Sequence, residues 1–387
     1  MPKRKHSPTP PLSNTTRDHE YLSLCSQFAE ITSTNNALAM AFLQDTDWDL
    51  ERALADFFAE HRTEEHSVQI DHIDLTETSS EDVPITLESN AVECTVFNVL
   101  SWNVDGLDTS NLVQRTDEIV SRLKSEPFHV VCFQEVTMVT LPMFRTKLEK
   151  DYLIFSPTDL PFSDCVHYFV TIMIRRHPAI EVDRNSFLVH SFPNSVMGRH
   201  LVSIKLNINS AKLTDQPTPS TTISVRIFTA HLESCRESSA ERKNQLAYAW
   251  TRMKHFGPPS ENASNEHPRA SIFCGDLNLR DKEVEELGGV PPDITDVWLA
   301  TGSRLELCAT WDPRRNTNAS RLVGGGPRRY GSSPIFRYDR MYVHGAGLKP
   351  VDFGLRGLEK VPGAACFPSD HWGILGRFQL DTVSHTS

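Results

Sequence analysis

The 387-residue sequence has no run approaching the roughly 18–20 consecutive apolar residues of a membrane span. Its basic start, MPKRKHSPTPPLSN, has no apolar segment behind it, so no secretory signal and no membrane partner are expected. Glycine is sparse, 18 residues in all, which excludes a collagen-like chain. The eight cysteines (25, 94, 132, 165, 235, 274, 308 and 366) form no C-x-x-C pair and no Cys/His cluster at zinc spacing. They read as reduced thiols, which makes the expected compartment a reducing one, cytosol or nucleus. A P-loop, a G-x-S-x-G nucleophile elbow and an H-E-x-x-H zinc signature are also missing.

Positive charge is scarce at the front. Residues 1–95 hold 6 Lys+Arg against 18 Asp+Glu, while residues 96–387 hold 33 against 32. The whole net charge of −11 therefore belongs to the first quarter. The larger remainder is free to gather cations on one face, so a polyanionic ligand stays compatible with it.

Composition divides the chain. Residues 1–19 form a Pro/Ser/Thr-rich basic tail, expected to be disordered. Lys3-Arg4-Lys5 followed by Pro8, Pro10 and Pro11 has the form of a nuclear import signal. The expected location is nuclear, with the cytoplasm also open. Over residues 20–62 apolar residues recur at helical spacing (Leu24, Phe28, Ile31; Ala37, Met40, Ala41; Leu50, Ala53, Leu54, Phe57, Phe58), broken by polar stretches. This predicts three short helices, with Asp47 as cap of the third. Residues 63–94 read as an acidic linker, residues 95–381 as one large domain and residues 382–387 as a tail.

From residue 95 short apolar strands alternate with helices. Strands are expected near 95–104, 128–136, 167–175, 200–208, 223–232, 270–277, 336–343 and 373–380, and helices near 110–124, 138–150 and 238–256. Most of these strands end in polar residues: Asn103 and Asp105, Glu135, His231 and Ser234, Asp276 and Asn278; Asp339 lies within the seventh and Asp370-His371 precede the eighth. One such residue is usually a cap or turn former. Six such blocks imply convergence on one rim, which capping does not require. Carboxylates with Asn and no soft ligands suit a hard divalent ion such as Mg2+. Two His beside Asp suit phosphoryl chemistry. The set therefore points to metal-assisted hydrolysis of a phosphate ester.

The blocks SWNVDGLD, QEV, HLES, GDLNLRDKEV, YDR and PSDHWGIL resemble the endonuclease/exonuclease/phosphatase superfamily, and within it the tyrosyl-DNA phosphodiesterase 2 family. The pattern of residues 20–62 resembles a ubiquitin-associated (UBA) domain, which that family also carries in front. The resemblance implies an α/β fold: a four-layer α/β sandwich of two central sheets flanked by helices, preceded by a small three-helix UBA-like domain. It implies Mg2+, with Mn2+ as a substitute, held by Glu135 with Asn103 and Asp105. Asp276 would orient and deprotonate water, and Asn278, His231 and Ser234 would bind phosphate. His371, fixed by Asp370, would donate to a phosphate oxygen, with Asp339 as a supporting acid. The reaction implied is hydrolysis of a tyrosine–DNA 5′-phosphate bond of the topoisomerase II type, in DNA repair.

DNA contacts are expected from Arg280 and from WDPRRNTNASRLVGGGPRRYG (311–331), which includes Arg315 and Trp311. By resemblance, Trp311 pairs with Arg199 in a cation–π contact. Arg242, in the helix after HLES, reads as part of a solvated face. Two short segments carry partner expectations: ubiquitin for residues 20–62, and SUMO for residues 70–82, where HIDLT precedes acids and suits strand addition to a sheet edge. The alternatives are an abasic-site endonuclease of the exonuclease III-like group and a catalytically silent ubiquitin- or SUMO-binding adaptor.

Overall fold

The structure is a computed structural model that describes scattered residues between 21 and 54, and residues 96–380 except 127, 161–167, 214–220, 257–268 and 323–334. The basic tail, the acidic linker with its SUMO expectation, the C-terminal tail, Asp47 and the Gly324–Gly326 stretch lie outside the described residues. In the front segment, Cys25, Phe28, Ala39, Leu43 and Ala53 form a small buried cluster. Tyr21 stacks on Trp48 at 3.8 Å. Asp49 Oδ1 accepts from the Arg52 N–H at 3.1 Å, a helix cap two residues beyond the expected one.

Two six-stranded mixed sheets make up the large domain. The strands are β1 (Val96–Asn103), β2 (Val130–Thr137), β3 (Tyr152–Phe155), β4 (Tyr168–Arg175), β5 (Ile180–Ser191), β6 (His200–Asn209), β7 (Thr222–His231), β8 (Arg269–Asp276), β9 (Ile294–Asp296), β10 (Asp339–Gly345), β11 (Leu348–Arg356) and β12 (Gly373–Leu380). The first sheet runs β11-β12-β1-β2-β4-β3 and the second β5-β6-β7-β8-β10-β9. The inner faces, which include Val99, Cys132, Ile172, Ile204, Ile227 and Ile272, pack into one buried apolar core. Stacking two sheets in this way leaves an outer apolar face on each, and helices cover both.

Helix α1 (Leu112–Ser125) and α2 (Thr140–Leu148) cover the first sheet. Helix α1 presents Ile119, Val120 and Leu123 to the core, carries Arg122 and Lys124 in its last turn, and stops before Pro127. The second sheet is covered by α3 (Ser239–Phe256), whose buried Arg242, Gln245, Leu246, Ala249, Trp250 and Met253 follow a single helical stripe. Short helices α4 (Asp281–Glu286), α5 (Val297–Ala300) and α6 (Thr317–Leu322) fill the connections. This is the expected four-layer order. Among the described residues no helix is long and apolar enough to cross a membrane.

Two glycines set the strand spacing beside the site. A Cβ at Gly275 would sit 1.9 Å from the Ala230 carbonyl oxygen, and one at Gly106 would sit 2.2 Å from that of Glu135. Neither position accepts a side chain without moving backbone.

Candidate active site

Strand register builds the first half of the site. His231 ends β7 opposite Asp276 at the end of β8, and Asp276 in turn lies opposite Asp339 at the start of β10. In-register neighbours on one face point their side chains the same way, so the three groups form a row. The second half comes from the other sheet. Asn103 ends β1 opposite Gln134 of β2, and the β2–β4 pairing shifts register between Phe133 and Val136. That bulge holds Glu135 at φ 56°, turning its carboxylate out of the strand alternation. Asp105 (φ 50°) and Asn278 (φ 49°) are also left-handed, a strained conformation for residues other than glycine.

The halves meet at Asn103. Its Nδ2 donates to Glu135 Oε1 and to Asp276 Oδ2, each at 3.0 Å. Asp276 Oδ2 also lies 3.3 Å from His231 Nε2 and 3.7 Å from His371 Nε2. The backbone N–H of Asn278 donates to Asp276 Oδ1 at 3.1 Å. Burial opposes ionisation of Asp276, but His231, His371 and the Asn103 amide hold its carboxyl below the usual range. Burial and then Arg199 keep His231 neutral, well below the usual imidazole range.

Two expected pairings fall to other partners. His371 Nδ1 is bonded to Asp339 Oδ2 at 2.8 Å, so Asp339, and not Asp370, orients it. Asp370 instead accepts from the Trp311 indole at 3.2 Å. The register of β10 delivers Asp339 under the imidazole, whereas the side chain of the adjacent Asp370 leaves the chain in another direction. Burial favours a neutral His371, yet the carboxylates of Asp339, Asp276 and Asp370 outweigh it and keep the ring protonated. Arg199 lies over the Tyr168 ring at 4.9 Å, not over Trp311, and donates to Ser234 Oγ at 3.0 Å. Trp311 packs beside Phe336 and Tyr338.

Other expected site residues take these places. Arg280 reaches over Phe336 and Tyr338, 5.9 and 5.8 Å from their ring centres. Arg315 is exposed. Asn278 Nδ2 donates to the Leu232 carbonyl at 3.3 Å. Asp105 is paired with the buried Arg115 at 3.3 Å. Arg242 is fully buried and far from solvated. It grips Glu283 through two nitrogens and donates to the carbonyls of Glu233, Ser234 and Cys235. Arg115, Tyr168 and Arg242 build the site without a sequence motif that marks them. Only the type of Tyr168, an aromatic opening a strand, carried any signal in sequence.

The donor set fits a divalent ion. Burial pushes the Glu135 carboxyl up to about 7, with Asp370 and Asp276 adding to the rise against Asn103 and His371. Asp105 is driven well above its ordinary range by burial and Asp370, despite Arg115. Buried oxygens that repel one another in this way are what a hard cation relieves. Asp276, Asp339 and His371 also present atoms within 4.8 Å of one another. There the imidazolium already supplies the positive charge, so the Glu135 side is the better cation position.

Comparison with known proteins agrees with this geometry. Residues 100–371 match the Endonuclease/Exonuclease/phosphatase family and residues 23–63 match a UBA-like domain. A tyrosyl-DNA phosphodiesterase 2 from Homo sapiens is 31% identical, over 91% of this chain and 91% of its own. One from Gallus gallus is 33% identical, over 92% and 90%. The crystal structure of the D. rerio enzyme with a single-strand DNA product superposes with a TM-score of 0.59 at 28% identity, covering 73% of this chain and 99% of that one. The chain belongs to the endonuclease/exonuclease/phosphatase family, as a metal-dependent phosphodiesterase hydrolase on its tyrosyl-DNA phosphodiesterase 2 branch.

Proposed function

We propose that this chain hydrolyses the bond between a tyrosine side chain and a DNA 5′-phosphate, with Mg2+ as its metal and Mn2+ as a substitute. The product is a 5′-phosphate end ready for ligation in DNA repair. The observation that carries this reading is the His231–Asp276–Asp339 row, joined by Asn103 to Glu135 and closed by protonated His371.

Glu135 would hold the metal, with Asn103 beside it and with Asp370 and Asp105 facing the same charge. When bound, the ion neutralises phosphate oxygens. Asp276, kept ionised, orients the attacking water and accepts its proton as attack proceeds. His371, kept charged by Asp339, donates to a phosphate oxygen as negative charge builds. Each donor of this kind is typically worth about 2.7–4 kcal/mol in the transition state. Neutral His231, Asn278 and Ser234 complete the phosphate contacts. A phenolate leaves without strong help from a general acid, so the reaction does not require one opposite Asp276. Arg280, Trp311, Arg199 and Arg315 are assigned to DNA.

The domain plan proposed is a basic tail (1–19), a UBA-like domain (20–62) binding ubiquitin, an acidic linker (63–94) with a SUMO-binding stretch at 70–82, the catalytic domain (95–381) and a tail (382–387). Location in the nucleus follows from the substrate.

The deciding experiment compares an oligonucleotide carrying a 5′-phosphotyrosyl end with one carrying an internal abasic site, in Mg2+ or EDTA. Metal-dependent release of a 5′-phosphate end, lost in Glu135→Ala and Asp276→Ala, is expected. Cleavage of the abasic strand alone would reassign the substrate, and turnover of neither would leave an adaptor.

A further inference from the structure

Five consecutive backbone carbonyls in the segment carrying Asp370 and His371 are each taken by a side chain. Phe367 O accepts from Asn318 Nδ2 at 2.9 Å, and Pro368 O from Arg115 Nη1 at 3.2 Å. Ser369 O and Asp370 O both accept from Asn316 Nδ2, at 2.9 and 3.0 Å. His371 O accepts from Trp102 Nε1 at 3.0 Å. The hydroxyl of Ser369 adds a sixth tie, donating to the Asn103 carbonyl at 2.6 Å and accepting from the His371 N–H at 3.0 Å. Connecting segments normally run over the surface and leave such groups to water. This one is buried, and each bond fixes a peptide plane.

Asn316 has a special place among these ties. It is wholly buried, and both ends of its amide are engaged. The NH2 group serves the two carbonyls that flank the start of the catalytic pair, while its Oδ1 accepts from the Asn318 N–H at 3.0 Å. Five residues earlier, Trp311 holds the Asp370 carboxylate through its indole. Asp370 is thus gripped twice by one stretch of chain, once at its carbonyl and once at its carboxylate. That stretch leads directly into the basic sequence ending at residue 331.

We propose that Asn316 is a positioning residue for the reaction. By fixing the peptide planes of Ser369 and Asp370 it sets the direction of the Asp370 carboxylate toward Glu135 and of the His371 ring toward Asp339 and Asp276. It also ties that pair to the segment that carries the DNA-facing residues. The inference rests on the assignment of Asp370 and His371 to the site, not on which ester is cleaved. An isolated structural latch would stabilise the fold and do no more.

The test uses the full chain with Asn316→Ala and Asn316→Ser, the second keeping one hydroxyl donor. Three quantities are read: kcat and KM on thymidine 5′-(4-nitrophenyl phosphate), Mn2+ binding by calorimetry without substrate, and the thermal midpoint of the metal-free protein. Removing a group that orients an active residue typically lowers activity or metal affinity about 10–100-fold. The expected result is a loss of that size in kcat and weaker Mn2+ binding in Asn316→Ala, with KM moved less than threefold and partial recovery in Asn316→Ser. Unchanged kcat and Mn2+ affinity with a lowered midpoint would overturn the proposal in favour of a latch. Failure of both variants to fold would do the same. If the wild type cleaves this ester but not the phosphotyrosyl oligonucleotide, the substrate reading fails while the Asn316 result still stands.

Discussion

His371 is bonded through Nδ1 to Asp339 Oδ2 at 2.8 Å, which ties the loop feeding β12 in one sheet to the first residue of β10 in the other. The bond decides the charge of the imidazole. Asp339→Asn keeps the shape of the site and removes the main charge that holds the ring protonated. The expected loss in kcat is about 10–100-fold, the size seen when a residue orienting an active group is removed. Steady-state rates on the phosphotyrosyl oligonucleotide measure it, and an unchanged kcat would show that His371 needs no such partner.

Glu135→Gln should separate stability from activity. In the metal-free protein the wild-type carboxyl titrates near 7 instead of 4.5. Between those values the folded state binds more protons than the unfolded one, so stability falls as pH rises through the window. The full effect above pH 7 is at most about 3 kcal/mol, since the side chain keeps 15% exposure. Metal-free Glu135→Gln should therefore melt higher than wild type at pH 8 and be nearly inactive. Added Mg2+ should raise the wild-type midpoint and leave that of the variant almost unmoved. A variant that melts lower without metal would contradict this account.

His129 should contribute to the acid side of the stability curve, beside the buried His200 and His231. Burial, with His177 and Arg175 nearby, lowers its pKa to about 4, and its Nδ1 accepts the Asn98 N–H at 3.0 Å. Protonation would end that bond. Between pH 6.5 and 4 the unfolded chain takes up a proton that the folded one refuses, so stability falls with pH by about 3 kcal/mol across the window. Urea titrations across that range should show a flatter slope for His129→Gln than for wild type. Equal slopes would place the acid sensitivity elsewhere.

Arg242→Ala leaves Glu283 buried without its cation and frees three carbonyls of the loop after β7. Breaking a buried pair from one side costs about 3–5 kcal/mol. Chemical denaturation should report a loss of that size, and activity should fall with it because Ser234 sits in the freed loop. A loss below about 1 kcal/mol would mean that water replaces the guanidinium there.

Gly275→Ala places a methyl group where the Ala230 oxygen stands, so β7 and β8 must part just below His231 and Asp276. The expected outcome is a soluble protein with activity reduced more than its stability, read by comparing kcat with the thermal midpoint. Full activity would show that the row tolerates a shift between these strands.

The eight strands legible in the sequence include every interior strand of both sheets, because burial on both faces leaves long apolar runs such as HVVCF and IMI. The four that were not, β3, β5, β9 and β11, are the four sheet edges. β3 and β9 are four and three residues long, β5 carries Asp183-Arg184-Asn185, and β11 contains Pro350 beside a register shift. Edge strands tolerate all of these. In the site, polar residues closing apolar strands were readable at Asn103, Glu135, His231 and Asp276. Partners such as Arg115, Arg242 and Asn316 were not. They bond to backbone carbonyls, some more than 50 residues away, and a carbonyl carries no residue signature. The Asp370–His371 pairing implied by the resemblance gives way to Asp339, which the register of β10 places beside the ring.

The chain builds β1 through β4, crosses to the other sheet for β5 through β10, and returns with β11 and β12 to pair beside β1. During synthesis, the acids of both sheets therefore emerge long before the histidine that completes them. A growing chain stopped before residue 371 would carry the Glu135 and Asp276 carboxylates without the imidazolium that works with them. The site is thus completed in one step, when the segment carrying His371 leads into β12 and that strand pairs beside β1.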